Sequence, residues 1–340
     1  MKTEFFTNPS SWDAYVDTRP DASVYHRWNW GQVVEQTYGH RAYYLAATDG
    51  ETLQGALPLV FMKSRIFGDF LVSTPFSSYG GVLANTPEAR DLLLKKAVEL
   101  AQELGARHVE LRQGDPCEVG WKETSAKVKM EVELPDTAEK LWKLLSTGMR
   151  NKIRNAQKNM LEIEWHTGEA VDEFYGVFAK NMRDLGTPVY PKIWFENLCR
   201  QFNDQVRIII LRDGKEPVAA GFVTLFRDVV EFPWSASLRE SRKKYSAVAM
   251  YWALLEWAVQ NGYRRVDLGR CTPGSGTHEF KRHWPCTEIP LRWYYWLSPG
   301  AGLPELRPDN PRYRWATQVW RKLPVPVANW LGPRIVRAIP

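Results

Sequence analysis

Residues 270–284 read RCTPGSGTHEFKRHW and gather side chains suited to a charged substrate. Arg270 can clamp a phosphate or carboxylate through two parallel N–H bonds. Asp267, just before it, can accept a proton or pair with that arginine. Lys281 offers a compact positive charge of the kind that steadies an oxyanion. Gly274, Ser275 and Gly276 form a turn whose backbone N–H groups could face an anion, although the same letters also make an ordinary loop. Cys271, His278, His283 and Cys286 supply two thiols and two imidazoles, but their spacing, C-x6-H-x4-H-x2-C, matches no zinc motif, and no metal is expected.

A second basic set has helical spacing. Arg150, Arg154 and Lys158 recur every four residues and share one face, with Met149, Ile153 and Ala156 on the buried side. That face could grip a nucleic-acid backbone or a precursor's phosphates, or it could simply be solvated. In the N-terminal part Trp28, Trp30 and Tyr79, with Gly80 and Gly81, could line a cleft whose aromatic faces suit sugar rings; core packing is the competing reading. No G-x-S-x-G elbow is present. Acyl transfer to an amine needs no protein nucleophile. It needs a proton acceptor, a stabilised oxyanion and two substrates held in line.

The elements that must hold these groups occur twice. Residues 93–112, LLKKAVELAQELGARHVELR, match residues 250–270 at a constant offset of 157 (256 − 99): Glu99 meets Glu256, Ala101 Ala258, Gly105 Gly262, Val109 Val266, Glu110 Asp267 and Leu111 Leu268. Each copy predicts an amphipathic helix that stops at a glycine and enters a strand. Upstream, Tyr43–Ala47 and Gly55–Phe61 flank Asp49-Gly50, while Val206–Leu211 and Pro217–Val223 flank Asp213-Gly214, both hairpin signals. Each half therefore reads helix, strand, turn, strand, strand, helix, strand. That is an α+β order of mixed, mostly antiparallel sheets, unlike the alternation of a dinucleotide fold, and it points to duplication. A helix is expected over 171–186, with Val171, Phe174, Tyr175, Phe178, Met182 and Leu185 on its apolar face and Gly186 as its cap. The expected divisions are 1–132, 133–298 and a basic Trp/Pro-rich segment, 299–340.

The chain has 340 residues, enough for two domains, and an excess of 45 Lys and Arg over 39 Asp and Glu, a net charge of +6. The mild excess suits anionic substrates, tRNA or an anionic membrane surface. Four cysteines argue against a disulfide framework, and neither a signal-like apolar core nor an 18-residue apolar run occurs, so a cytoplasmic protein is expected. Residues 312–339 mix Trp315, Trp320 and Trp330 with Arg312, Arg314, Arg321, Lys322, Arg334 and Arg337, a composition suited to a membrane-surface segment or to a tail packed on the second domain.

The doubled element order resembles the GNAT acyltransferase fold, in which acyl-CoA phosphates sit between the fourth strand and the following helix. The corresponding stretch here, Leu238-Arg239-Glu240-Ser241-Arg242-Lys243-Lys244-Tyr245-Ser246, is basic but lacks glycine, unlike the acetyl-CoA pattern. Two such units in tandem resemble the FemAB family of aminoacyl-tRNA-dependent transferases, which act on peptidoglycan precursors. Met149–Lys158, Asn181–Val189 and Phe280-Lys281 carry the resemblance, with Pro75-Phe76 and Tyr79-Gly80-Gly81. The set is most similar to FemAB-related proteins associated with PEP-CTERM/exosortase systems and exopolysaccharide loci. Pro285-Cys286 departs from the expected glycine-containing turn.

The resemblance implies an aminoacyl or acyl transfer to an amine of a cell-envelope or exopolysaccharide precursor. It implies aminoacyl-tRNA or acetyl-CoA as a co-substrate, no tightly bound cofactor and no DNA partner. Lys281 matches the family lysine that contacts the acyl or phosphate end of the substrate. An acetyl-CoA-dependent N-acetyltransferase on an amino sugar and a non-catalytic scaffold of envelope assembly are the alternatives, and an RNA-binding module lacks a compact motif.

Overall fold

The structure is a computed structural model that describes residues 1–64, 68–304 and 311–339, with 311–315 described by backbone alone. The chain forms two compact units: Met1–Ala126 with Pro290–Arg307 and Ile335–Pro340, and Lys127–Ile289 with Pro308–Arg334.

In chain order the first unit begins with β1 (Lys2–Phe5), α1 (Pro9–Thr18), α2 (Trp28–Tyr38), β2 (Arg41–Asp49), β3 (Thr52–Ser64) and β4 (Gly68–Val72). It continues with β5 (Leu83–Ala84), α3 (Pro87–Glu103), β6 (His108–Gln113) and the start of β7 (Lys122–Glu133). β2 and β3 form the expected hairpin, turning at Gly50 with φ +59°. α3 starts where the Thr86 hydroxyl accepts from the Ala89 N–H at 3.2 Å, with Pro87 in its first turn. Its Leu93, Leu94, Ala97, Leu100 and Ala101 pack on Leu45, Leu57, Leu59, Val109 and Leu111. Gly105, at φ +66°, then ends the helix as the sequence predicts.

The second unit holds α4 (Ala138–Leu144), α5 (Thr147–Gln157), β8 (Glu162–His166), α6 (Val171–Leu185), α7 (Lys192–Phe202) and β9 (Val206–Asp213). It goes on through β10 (Glu216–Phe226), β11 (Val229–Ser237), α8 (Ser246–Gln260), β12 (Arg265–Cys271) and the short α9 (Gly276–Lys281). The chain closes with β13 (Thr287–Leu297), α10 (Pro311–Trp320) and α11 (Val325–Val336). One face of the sheet buries Val230, Phe232, Val266, Leu268, Met130 and Val132 with the nearly all-apolar α8 and with Leu141, Met149 and Ile153. The other face carries an aromatic layer in which Phe174 and Phe195 lie 5.5 and 5.3 Å from Phe222, and Phe195 lies 5.4 Å from Trp234.

The architecture is the expected α+β order, twice. The strand partners differ from the sequence reading in one respect. β7 follows β6 in the chain but pairs antiparallel with β12 in the second unit, Val266 opposite Val132. β13 follows β12 but pairs antiparallel with β6 in the first, Tyr294 opposite Leu111. The divisions at 132 and 298 kept each last strand with its own half. The pairings exchange them, because a strand's edge partner is set by tertiary register rather than by local pattern.

Candidate functional site

In the second unit β11 and β12 run parallel and pair at only three positions, Val229 with Arg265, Val230 with Val266 and Glu231 with Asp267. Both strands continue, to Ser237 and Cys271, beyond the last pair. At that last level four polar residues stand side by side on adjacent strands: Thr224 opposite Glu231, Glu231 opposite Asp267, and Asp267 opposite Glu131. Side chains alternate along a strand, and the neighbours Val230, Val266 and Val132 face α8, so the polar row lies on the opposite face.

Glu231 and Asp267 are each 2% exposed, and the Thr224 hydroxyl is buried with no hydrogen-bond partner. Three carboxylates one strand spacing apart repel, and Lys129 answers them: its Nζ lies 2.7 Å from Glu131 Oε2. Burial alone would lower the Lys129 pKa, but the charges of Asp267, Glu131 and Glu231 outweigh it and hold it above its usual value. Asp267 Oδ1 also accepts from the Gly269 N–H at 2.7 Å. Gly269 sits at φ +82° inside an irregularity between Asp267 and Arg270, a conformation that favours glycine. Lys281 reaches this bulge from α9, is itself buried, and donates from Nζ to the Gly269 carbonyl at 3.1 Å. Asp267 and Lys281 thus hold the same glycine from its two sides.

The rest of the 270–284 stretch divides by environment. Phe280 and Trp284 enter the core, 5.0 and 5.8 Å from the Tyr251 ring, while Arg282 and His283 are exposed. Arg270 is half-buried one residue past the bulge, opposite Lys129 in register. In the expected anion nest at Gly274, Ser275 and Gly276, the first two donors are spent internally. The Gly274 N–H donates to His278 Nδ1 at 3.2 Å and the Ser275 N–H to the Thr272 carbonyl at 3.0 Å. Ser275 caps α9, its hydroxyl accepting from the His278 N–H, and Gly276 opens that helix. These three residues build the turn that positions Lys281.

Arg150, Arg154 and Lys158 do share the outer face of α5, above buried Met149, Ile153 and Ala156. The Arg154 guanidinium lies 5.4 Å over Trp142, and Arg150 donates to the Thr147 hydroxyl. α5 joins the core on the α8 side of the sheet. The turn leading into α8 is basic as read. Arg242 and Lys243 are exposed, and Tyr245 takes φ +57° where GNAT-like turns use glycine. No side chain caps the α8 N-terminus.

In the first unit Trp28 stacks on Tyr44 at 3.5 Å, whereas Tyr79 meets Tyr25 at 5.5 Å and Tyr25 meets the buried Trp30 at 4.6 Å, so the expected cleft residues belong to two aromatic groups. Gly80, at φ +143°, and Gly81 are glycines for packing: a Cβ would collide with Thr74 at the first and Gln113 at the second. The strands part here too, after Val72 and Glu110, but the space is filled. Arg112 is fully buried, bonded to Glu110 at 2.7 Å and to the Ser77 carbonyl at 2.7 Å, with its guanidinium 4.4 Å over Trp293.

Glu231, Thr224, Glu131 and Lys129 were not foreseen. One signal was available: Glu231 interrupts the apolar run Val229-Val230-Glu231-Phe232, and a carboxylate inside a core strand marks a buried charge.

Residues 146–282 match the family model described as an Acetyltransferase (GNAT) domain. No curated protein matches the chain. Among solved structures, FemX is similar with TM-score 0.70 at 14% identity, covering 88% of this chain and 98% of that one. L-PGS from Bacillus licheniformis is similar with TM-score 0.60 at 13% identity, covering 93% and 98%. A tandem GNAT protein from the clavulanic acid biosynthesis pathway follows with TM-score 0.52 at 13% identity, covering 87% and 98%. At these identities the likeness establishes the fold, two GNAT-like units in tandem.

Proposed function

We propose that the protein is a FemAB-like transferase that moves an aminoacyl or acyl group onto an amine of a cell-envelope or exopolysaccharide precursor, with the chemistry in the second unit. The carrying observation is the pair of buried carboxylates, Glu231 and Asp267, at the level where β11 and β12 part, inside the stretch that matches a GNAT domain. The acceptor arrives as an ammonium, Glu231 takes its proton, and the free amine attacks the carbonyl carbon of the donor ester or thioester. The tetrahedral oxyanion then collapses and expels the donor's alcohol or thiol, which takes the second proton from the attacking nitrogen, while Glu231 releases the first to solvent.

Asp267 and Lys281 act through the bulge: they fix Gly269 from its two sides, beside the row. Arg270, at the open end of β12, binds the acceptor's phosphate or carboxylate, while Arg150, Arg154 and Lys158 hold a nucleic-acid or precursor backbone elsewhere on the unit. Tyr79, Gly80, Gly81 and Trp28 shape the first unit, which binds without reacting. Peripheral contact with the inner membrane belongs to the same reading.

A second reading, an acetyl-CoA-dependent N-acetyltransferase on an amino sugar, draws on the uncapped α8 N-terminus beside exposed Arg242 and Lys243, which suits a diphosphate. Purified protein incubated with charged tRNA or acetyl-CoA and amino-sugar or envelope-precursor acceptors should yield product. Glu231→Gln, close to isosteric, should slow turnover by about 10²–10⁴-fold. Lys281→Met should lower turnover through misplacement of the bulge. Protection against heat by CoA selects the second reading. A full rate in Glu231→Gln removes the proton acceptor assigned here, and no product from any donor in the wild-type chain favours a scaffold.

A further inference from the structure

The two C-terminal helices are docked on one side and bare on the other. On the docked side, a Cβ at Gly186 would collide with Thr317, and a Cβ at Gly332 would come within 2.8 Å of Val189 backbone. Arg321 donates to the Leu185 carbonyl at 3.3 and 3.4 Å, and Arg183 to the Leu323 carbonyl at 2.9 Å. Both helices are therefore anchored to the end of α6 and the loop after it.

The bare side carries Val319, Val327 and Trp330, at 41%, 39% and 61% exposure. Trp330 is the most exposed aromatic side chain among the described residues. Leu185, which the sequence pattern put on the buried face of α6, is 45% exposed beside Arg321. Val327 and Trp330 stand three residues apart and Trp330 and Arg334 four, so they share one face of α11. The Arg334 guanidinium covers the Trp330 ring at 4.1 Å. Arg321, Lys322 and Arg334 are exposed, and residues 311–339 contain no aspartate or glutamate.

A helix facing only water normally carries both signs of charge and few large apolar tips. An exposed tryptophan and valines framed by cations alone match the boundary of an anionic bilayer, where the ring sits at headgroup depth and the long basic side chains reach phosphates. We propose that residues 319–334 form a docking face for an anionic lipid surface, with Val327 and Trp330 entering the headgroup layer and Lys322 and Arg334 contacting lipid phosphates. Among the described residues no helix is long and apolar enough to cross a membrane, so the segment lies on the bilayer. The proposal deepens the peripheral membrane contact of the proposed function; it rests on this surface and not on the reaction, so either can fail without the other.

The test is co-sedimentation of the full chain with phosphatidylcholine vesicles, with and without phosphatidylglycerol, over a salt series. The wild-type chain should sediment with the anionic vesicles, weaken as salt rises and ignore the neutral ones. Trp330→Ala should weaken binding on the order of tenfold from lost apolar burial. Lys322→Ser should weaken it about fivefold. Val327→Ser, a milder change at the same face, should also reduce it, and unchanged melting curves would separate loss of docking from loss of fold. Equal binding to neutral and anionic vesicles, or undiminished binding by Trp330→Ala, overturns the proposal. So does a vesicle-free dimer that Trp330→Ala dissolves, which would assign the face to a second copy of the chain.

Discussion

The same row of strand positions has opposite character in the two units. In the first it reads Val60, Val72, Glu110 and Tyr295 across β3, β4, β6 and β13. In the second it reads Thr224, Glu231, Asp267 and Glu131 across β10, β11, β12 and β7. Each unit keeps one acid on the strand after its long helix, Glu110 or Asp267. In the first unit that acid is neutralised by a fully buried arginine that also bonds the loop filling the space beyond. In the second the next strand adds another acid where the first has valine, and a lysine, Lys129, answers the row instead. One topology thus yields a locked interior and a charged one, and the assignment of chemistry rests on four residues rather than on the fold.

The strongest way to break this contrast is to unlock the first unit. Arg112→Met would strand Glu110 in the interior and cost about 3–5 kcal/mol. Glu110→Gln added to it should recover much of that, because the uncompensated charge is gone. Hydrogen exchange of first-unit amides reads both. A cost under about 1 kcal/mol for the single change would mean that the pair is not what locks the unit.

The two units should also fail at opposite ends of the pH scale. Burial depresses the His26 pKa to about 4, so its contribution is complete above the unfolded value and is lost as pH falls from about 6.5 to 4. The loss is about 3 kcal/mol, and a His26→Gln variant should show a flatter acid limb. Lys129 is raised instead, so its contribution is present below its unfolded pKa and disappears as pH climbs through the raised folded value, in the alkaline range. Unit-resolved exchange across pH would show a first unit that weakens in acid and a second that weakens in base. The reverse order would contradict both assignments.

The smallest effect lies at the helix starts. α3 begins on a threonine cap, whereas α8 begins on Tyr245 in a left-handed conformation. Tyr245→Gly should change stability by no more than about 1 kcal/mol, since relief of strain offsets added chain entropy. Tyr245→Val, read by the same thermal melt, should lose about 1–2 kcal/mol.

These contrasts also divide what the sequence reveals from what it hides. Element order was readable because each helix and hairpin leaves local marks: Gly105, Gly186 and Gly262 end helices at φ +66°, +79° and +77°, and Gly50 and Gly214 turn hairpins. Lys281 was readable as a residue of interest, but not its burial, because the run around it looks solvated until Phe280 and Trp284 are seen to enter the core. Of the polar row only Glu231 left a mark, as an acid inside an apolar run. The row's members lie on four strands, and register across strands leaves no mark within any one of them. Gly80 and Gly81 are ambiguous for a related reason: close approach to Thr74 and Gln113 demands glycine as firmly as a ligand would.

The reciprocal placement of β7 and β13 has a consequence for synthesis. While the chain emerges from the ribosome, the first sheet must wait for residues 290–297 before β6 gains its last partner. Until then β6 presents an unpaired edge, the kind of surface that recruits foreign strands. Truncation after the first half would leave that edge permanently open. Expression of the second half from residue 133 would delete most of β7, which pairs along β12. Neither half is an independent product, and refolding should be slowed by contacts that join residues far apart in the chain.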